Sequence, residues 1–177
     1  MESSIGDASF LNPILAQDSA SSEINSFVFN GLIKYDRNLQ HFVGELAESW
    51  KIKEGPEPEI TFFMRRGVLW HDGKEFTAED VRFTYDKIMD EKTNTVRRSD
   101  YELVKKAEVL DRYTFRVTYS QPFSPGLGTW GMGIIPKHLL EKEDINTARF
   151  NRKPVGTGPF RFVEWESDEK IVVEANP

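Results

Sequence analysis

The chain contains no cysteine. That excludes a disulfide framework, a thiolate nucleophile and a zinc–thiolate site. It does not locate the protein, because a cysteine-free chain fits cytoplasm and periplasm alike. Histidine is scarce too. His41, His71 and His138 lie far apart without metal-ligand spacing, so neither a metal site nor a cofactor is expected. No run approaches the ~20 apolar residues that a membrane helix needs. The opening residues, MESSIGDASFLNP, lack the basic and apolar regions of a secretory signal. If the natural protein is exported, the expectation is a mature part with Met1 added. Positive charge is in deficit, with 23 Lys and Arg against 29 Asp and Glu and a net charge of -6. With no basic stripe, nucleic acid and anionic lipid are poor candidates for partners.

What is present argues for a folded protein. Hydrophobic residues make up 38% and aromatics 12%, with thirteen Phe and four Trp, whereas disordered chains are poor in aromatics. A length of 177 residues suffices for one sizeable core or two small lobes. No repeat or low-complexity segment interrupts it.

Hairpin patterns dominate. Asn12-Pro13 signals a turn. Ser21, Ser22 and Glu23 can start a helix through Phe29, with Asn30-Gly31 as a left-handed stop. A short strand follows over 32–35. Residues 46–53 and 59–65 read as a hairpin, with Trp50, Ile52, Ile60, Phe62 and Met64 at alternating apolar positions. Between them lies a stiff Pro-containing turn. Thr77 followed by Glu79-Asp80 opens the clearest helix, with the Thr as cap, the carboxylates at the positive end of the dipole, and Val81, Tyr85, Ile88 and Met89 as its apolar face. Residues 91–100 read as a polar loop. Segments 104–110 and 114–119 form a second hairpin around Asp111-Arg112. Segment 121–133, with four Gly and two Pro, should be irregular. Residues 136–141 suit a short helix with Pro at its first turn. Residues 160–165 and 170–175 form a last hairpin around Ser167-Asp168. About nine strands and three to five helices are expected: an α+β (mixed α/β) fold with a largely antiparallel central sheet and flanking helices.

Within RRGVLWHDGKEFTAEDVRFTY, at 65–85, His71 and Asp72 invite an acid/base or metal reading. No G-x-S-x-G nucleophile and no H-E-x-x-H spacing accompanies them, and Asp-Gly is ordinary turn chemistry. Scaffold is the better reading. Asp72, Glu75 and Glu79 as paired carboxylates of a hydrolase remain an alternative, again without nucleophile or metal set. Gly156-Thr157-Gly158-Pro159 lacks the Lys of a phosphate loop, and Pro159 removes an N–H. A tight crossover suits it better. The aromatics Phe62, Phe63, Trp70, Phe76, Phe83 and Tyr85 sit at strand and helix spacings and read as core.

Several blocks together resemble one family. They are Leu11-Asn12-Pro13 with Asp18 and Ser21; Phe29-Asn30-Gly31-Leu32; Leu46-Ala47-Glu48-Ser49-Trp50; the 66–81 block; Ile135-Pro136-Lys137-His138; and Pro154-Val155-Gly156-Thr157-Gly158-Pro159-Phe160. Each is weak alone. In register over nearly the whole chain, they resemble the N-terminal part of the family 5 extracellular solute-binding proteins, the peptide- and nickel-binding components of ABC importers. The largest departure is the surface turn at 54–59.

The resemblance implies a class II-like periplasmic binding protein fold, present in part as a fragment. Residues 1–40 would open the first lobe, 41–149 would form a small extra domain, 150–177 would return to the first lobe, and the distal ligand-binding lobe would be absent. It implies no catalysis. It implies capture of a peptide or similar small solute, such as a sugar or metal chelate, in the periplasm or on the outer face of the cytoplasmic membrane, and delivery to importer permease subunits. A ligand-sensing domain of a regulator is an alternative, although no helix-turn-helix segment is present. Dimerisation through unpaired strand edges is a further expectation.

Candidate ligand residues follow from the same resemblance. Gln17, Asp18 and Ser19 would offer backbone groups to an extended ligand, as in strand addition; the competing reading is a surface loop capping the next helix. Arg97 and Arg98 suit a carboxylate through paired hydrogen bonds, although two Arg in a polar loop are commonly just solvated. Tyr101 would pack apolar parts of the ligand. Trp130, Gly131 and Met132 are either a cavity wall or a core anchor.

Overall fold

The helix that follows Thr77 organises the core. In the computed structural model, which describes residues 7–177, this helix, α2, runs Ala78–Met89. The reading of residues 1–6 as the start of a mature chain lies outside the described residues. Thr77 is the N-cap of α2, as expected, with Asp80 as the other half of a capping box. Asp80 reaches back to accept the Thr77 N–H (2.9 Å), and its other oxygen accepts the Lys137 N–H (3.0 Å). The Thr84 hydroxyl donates to the Asp80 carbonyl and accepts from the Ile135 N–H. A carboxylate placed for the helix dipole thus also ties α2 to the segment that starts α3 (Lys137–Leu140). Burial pushes the Asp80 carboxyl above its ordinary range, and the Thr77 and Lys137 N–H groups pull it back in part. Val81, Thr84 and Ile88 face the core, with Tyr85 and Met89 half-buried beside them.

This helix covers a four-stranded antiparallel sheet of β3 (Ala47–Lys53), β4 (Glu59–Met64), β5 (Val104–Asp111) and β6 (Thr114–Tyr119), in the order β3-β4-β6-β5. The register sets Phe62 between Trp50 and Phe115, and Ile60 between Ile52 and Val117. Alternation therefore gathers Ile60, Phe62, Met64, Phe115, Val117 and Tyr119 on the buried face. Ile52, on the edge strand, is 52% exposed, so the expected alternation fades there.

The remaining strands form two separate antiparallel pairs. They are β1 (Ile33–Tyr35) with β2 (Phe42–Gly44), and β7 (Phe160–Glu166) with β8 (Lys170–Ala175). Among the described residues there are eight strands in three sheets, rather than about nine around one centre. Part of the expected 91–100 loop is a 3-10 turn, Arg97–Tyr101.

Helix α1 spans Ser19–Val28. Its cap is Asp18 rather than Ser21, since the Asp18 carboxylate accepts both the N–H and the hydroxyl of Ser21 at 2.7 Å. Ser21 lies inside the helix and its oxygen accepts the N–H groups of Ser9 and Phe10. Gly31 is not the left-handed stop expected of it. It is needed for a close approach, because a Cβ there would lie 2.4 Å from the Gly131 carbonyl oxygen.

The helix instead ends on residues 156–158. The Gly158 N–H donates to the Val28 carbonyl (2.8 Å). A Cβ on Gly156 would stand 1.8 Å from that same oxygen, and one on Gly158 would stand 2.4 Å from the Phe27 oxygen. Beyond this junction Phe160 packs edge-on against Phe27, and Phe162, Trp165 and Ile171 cover a small cluster of Ala8, Leu11 and Ala20. Gly156→Ala should therefore lower unfolding free energy by about 3 kcal/mol or more, as overpacking against backbone does. Urea unfolding of the variant beside the parent chain checks this.

Candidate functional site

His71 and Asp72 occupy separate structural roles. Asp72 accepts from His138 Nε2 at 2.7 Å. The turn between them and Lys74 uses Gly73 at φ 85°. His71 faces the 156–158 segment. Its N–H donates to the Gly156 carbonyl, its Nδ1 accepts the Gly156 N–H (3.2 Å), and its Nε2 lies 3.0 Å from the Gly158 carbonyl. The acids of the hydrolase alternative are likewise each engaged by another side chain. Glu75 is held by the Tyr113 hydroxyl (2.6 Å) and Arg112 (2.5 Å), and Glu79 by Lys137 (2.9 Å). Each of the three acids has its own partner, two of them on α3 and one in the 112–113 turn.

A large concavity among the described residues lies elsewhere. It is an open cleft of about 890 Å³, and four segments build it. One face of α1 contributes Ser22, Asn25, Ser26 and Phe29, a spacing that sets them along a single helical stripe. Opposite run residues 128–133, locked beside the 30–34 segment where the Leu32 N–H donates to Trp130 O and the Ile134 N–H to Asn30 O, both at 2.9 Å. The β1–β2 pair supplies Lys34, Tyr35 and Phe42, with the two rings 4.4 Å apart. The 3-10 turn supplies Arg97, Asp100 and Tyr101.

Hydrogen bonds join these walls. The Thr95 hydroxyl donates to Ile14 O (2.6 Å), and Arg97 Nε to Pro13 O (2.9 Å). The buried Tyr101 hydroxyl donates to Thr129 O (2.8 Å). Burial pushes this phenol far above its usual range, so it remains a neutral donor. At the rim Glu45 pairs with Lys34 (3.1 Å) and accepts the Gly31 N–H (2.9 Å).

The cleft brings together Arg97, Tyr101, Gly131 and Met132 from the sequence-predicted set. The other members fall outside its wall. Arg98 is bound through Nη2 to the Asp90 and Thr93 carbonyls. Trp130 is 3% exposed among Phe62, Tyr85, Tyr101 and Phe115. Its indole N–H donates to Tyr119 Oη (3.0 Å), which donates to Gly126 O (2.8 Å). Gln17, Asp18 and Ser19 lie at the start of α1, next to the lining residue Ala16. Sequence reasoning missed Ser22, Ser26, Tyr35 and Phe42. The available signal was a stripe of small polar residues on a helix whose other face is apolar.

For Asp18, burial raises the carboxyl, but hydrogen bonds from Ser21 and Ser9 outweigh it and the net displacement is downward. Its contribution is therefore fully present above the ordinary carboxylate value and lost as pH falls from there through the lowered folded value. Asp18→Ala should cost about 1 kcal/mol near neutral pH, as cap removal does, with the difference from the parent narrowing in acid. Tyr119→Phe should cost about 1–2 kcal/mol by leaving the buried Trp130 indole without its acceptor. Denaturant unfolding at two pH values measures both.

The sequence profile described as bacterial extracellular solute-binding proteins, family 5 Middle, matches residues 41–177. The chain is 35% identical to Protein XP55 of Streptomyces lividans over 167 residues, covering 94% of this chain and 30% of that protein. It is 35% identical to the oligopeptide-binding protein AppA of Bacillus subtilis over 179 residues, covering 98% and 33%. AppA solved with a nonapeptide superposes with a TM-score of 0.90 at 34% identity, covering 98% of this chain and 35% of that one. NikZ from Campylobacter jejuni, solved with Ni(L-His), superposes at 0.88 and 35% identity, covering 99% and 34%. The chain thus spans about a third of the length of the relatives it matches. The periplasmic-binding fold class expected from the sequence is the one these structures share.

Proposed function

This chain belongs to the family 5 bacterial extracellular solute-binding proteins, and we propose that it supplies one wall of a peptide-binding cleft in the solute-capturing component of an ABC importer. The observation that carries the reading is the open 890 Å³ cleft between α1 and residues 128–133. The family is one of binding proteins rather than enzymes. Oligopeptide binding in the named relative AppA favours a peptide over a sugar or metal chelate.

In this reading Arg97 holds a ligand carboxylate. Its Nε is committed to Pro13 O, and its terminal nitrogens make no hydrogen bond among the described residues, which leaves the paired donors free for an anion. Tyr35, Phe42 and Met132 pack apolar parts of the ligand. Gln17 to Ser19 extend the edge along which its main chain runs. Residues 41–149 act as a small domain beside a lobe built from 1–40 and 150–177. Closure of a second wall over the cleft is the state presented to the permease, outside the cytoplasmic membrane.

A one-sided cleft leaves much of a ligand in water, whereas closed sites bury ~70–90% of it. Titrating the 177-residue chain with a pool of short peptides should therefore give affinities weaker than about micromolar. Amide shifts should be confined to α1, residues 128–133 and the β1–β2 pair. Nanomolar binding, or shifts centred elsewhere, would overturn the assignment. Arg97→Met should abolish the shifts produced by peptides with a free C-terminus.

We also propose that the outer edges of β7 and β8, unpaired among the described residues, pair with a second copy of the chain. Light scattering over a range of concentrations should show mass rising toward the dimer, and a strict monomer would count against it.

A further inference from the structure

We propose that His71 is a proton-sensitive positioning residue: its neutral ring grips residues 156–158 against the end of α1, and protonation at Nδ1 removes the acceptor of the Gly156 N–H and so loosens the α1 wall of the cleft. Only the last step rests on the cleft being a ligand site. The grip itself is a matter of geometry.

The partners fix the state of the ring. Gly156 presents an N–H to Nδ1, so Nδ1 must offer a lone pair. Gly158 presents a carbonyl to Nε2, so Nε2 must carry the proton. One neutral tautomer meets both demands. A second proton has only Nδ1 to occupy, and there it would confront the Gly156 N–H. The same two glycines carry the contact with α1: Gly158 donates to Val28 O, and Gly156 lies too close to that oxygen for any Cβ. Losing the His71 acceptor therefore acts on the stop of a helix whose Ser22, Ser26 and Phe29 line the cleft.

Charges around the ring come from three elements. Burial disfavours the charged form most strongly, the Gly158 carbonyl on Nε2 favours it, and Arg161 on β7 disfavours it. Asp72 favours it, but is itself bound by His138 of α3. Arg161 is paired with Glu174 on β8 at 2.7 Å. The net displacement is below the ordinary histidine value of 6.5. A depressed histidine gives stability that is complete above 6.5 and is lost as pH falls from there through the lowered folded value.

The test follows amide hydrogen exchange and the ring nitrogens by NMR in the 177-residue chain between about pH 7.5 and about pH 5, without added ligand, so that a cleft that binds no peptide does not affect the result. After correction for the intrinsic pH dependence, protection at Gly156 and Gly158 should fall about tenfold as His71 titrates, the worth of one buried hydrogen bond. Protection at Phe62 and Phe115 should hold. His71→Asn places an oxygen near Nδ1 that cannot take a proton, so its protection at Gly156 should be lower but flat with pH. Unchanged protection through the titration, or the same pH-dependent loss in His71→Asn, would overturn the proposal. If that variant does not fold, the parent titration decides alone. Ser22 and Ser26 resonances that stay fixed while the glycines respond would overturn the coupling to the wall.

Discussion

The approach of residues 156–158 to the end of α1 is the constraint on which the rest of the structure depends. A helix end leaves carbonyl groups without partners. Here Val28 O finds the Gly158 N–H, delivered by a segment 130 positions later in the chain. The contact is so close that neither glycine can carry a side chain. His71 then holds the segment from the far side with both ring nitrogens. Three stretches remote in sequence thus meet at one point: the end of α1, the turn after Trp70, and the entry to β7. The direction of α1 follows from it, as does the packing of the β7–β8 pair against Phe27 and the small cluster beyond.

A second anchor works by the same logic inside the larger core. Buried Asp80 costs desolvation, which its two backbone N–H partners offset in part. Because one partner belongs to the helix and the other to residue 137, the carboxylate fixes α2 relative to α3. Trp130 does the equivalent for the cleft loop. Its indole, bonded through Tyr119 to Gly126 O and surrounded by aromatic rings, pins residues 126–131 from beneath. The open cleft accordingly stands on a well-packed base, the arrangement expected of a site placed on a rigid scaffold.

Local features of the fold were legible in the sequence because short-range physics sets them. Alternation revealed β4 and β6, and the acidic cap with apolar spacing revealed α2. The division into three sheets was not legible, since pairing partners are chosen by the tertiary arrangement rather than by strand composition. Gly31 and Gly156 show a subtler limit. A glycine announces that a side chain is excluded, but not whether a turn or a neighbouring backbone excludes it. Of the ligand candidates, Arg97 and Arg98 are adjacent and chemically identical, yet one lines the cleft and the other spans two loop carbonyls. Only the path of the 3-10 turn separates them.

The stretch richest in reactive side chains, 71–80, shows why residue type alone misleads here. Asp72, Glu75, Glu79 and Asp80 are each engaged by a separate partner: His138, Tyr113 with Arg112, Lys137, and backbone N–H groups. An acid paired in this way holds two elements together. The cleft, in contrast, is walled largely by serine, glycine and aromatic residues, with Lys34, Glu45, Arg97 and Asp100 as its charged members. The acids of 72–80 fix the frame, whereas Arg97 on the cleft is tied to Pro13 O through Nε alone among its guanidinium nitrogens in the described residues.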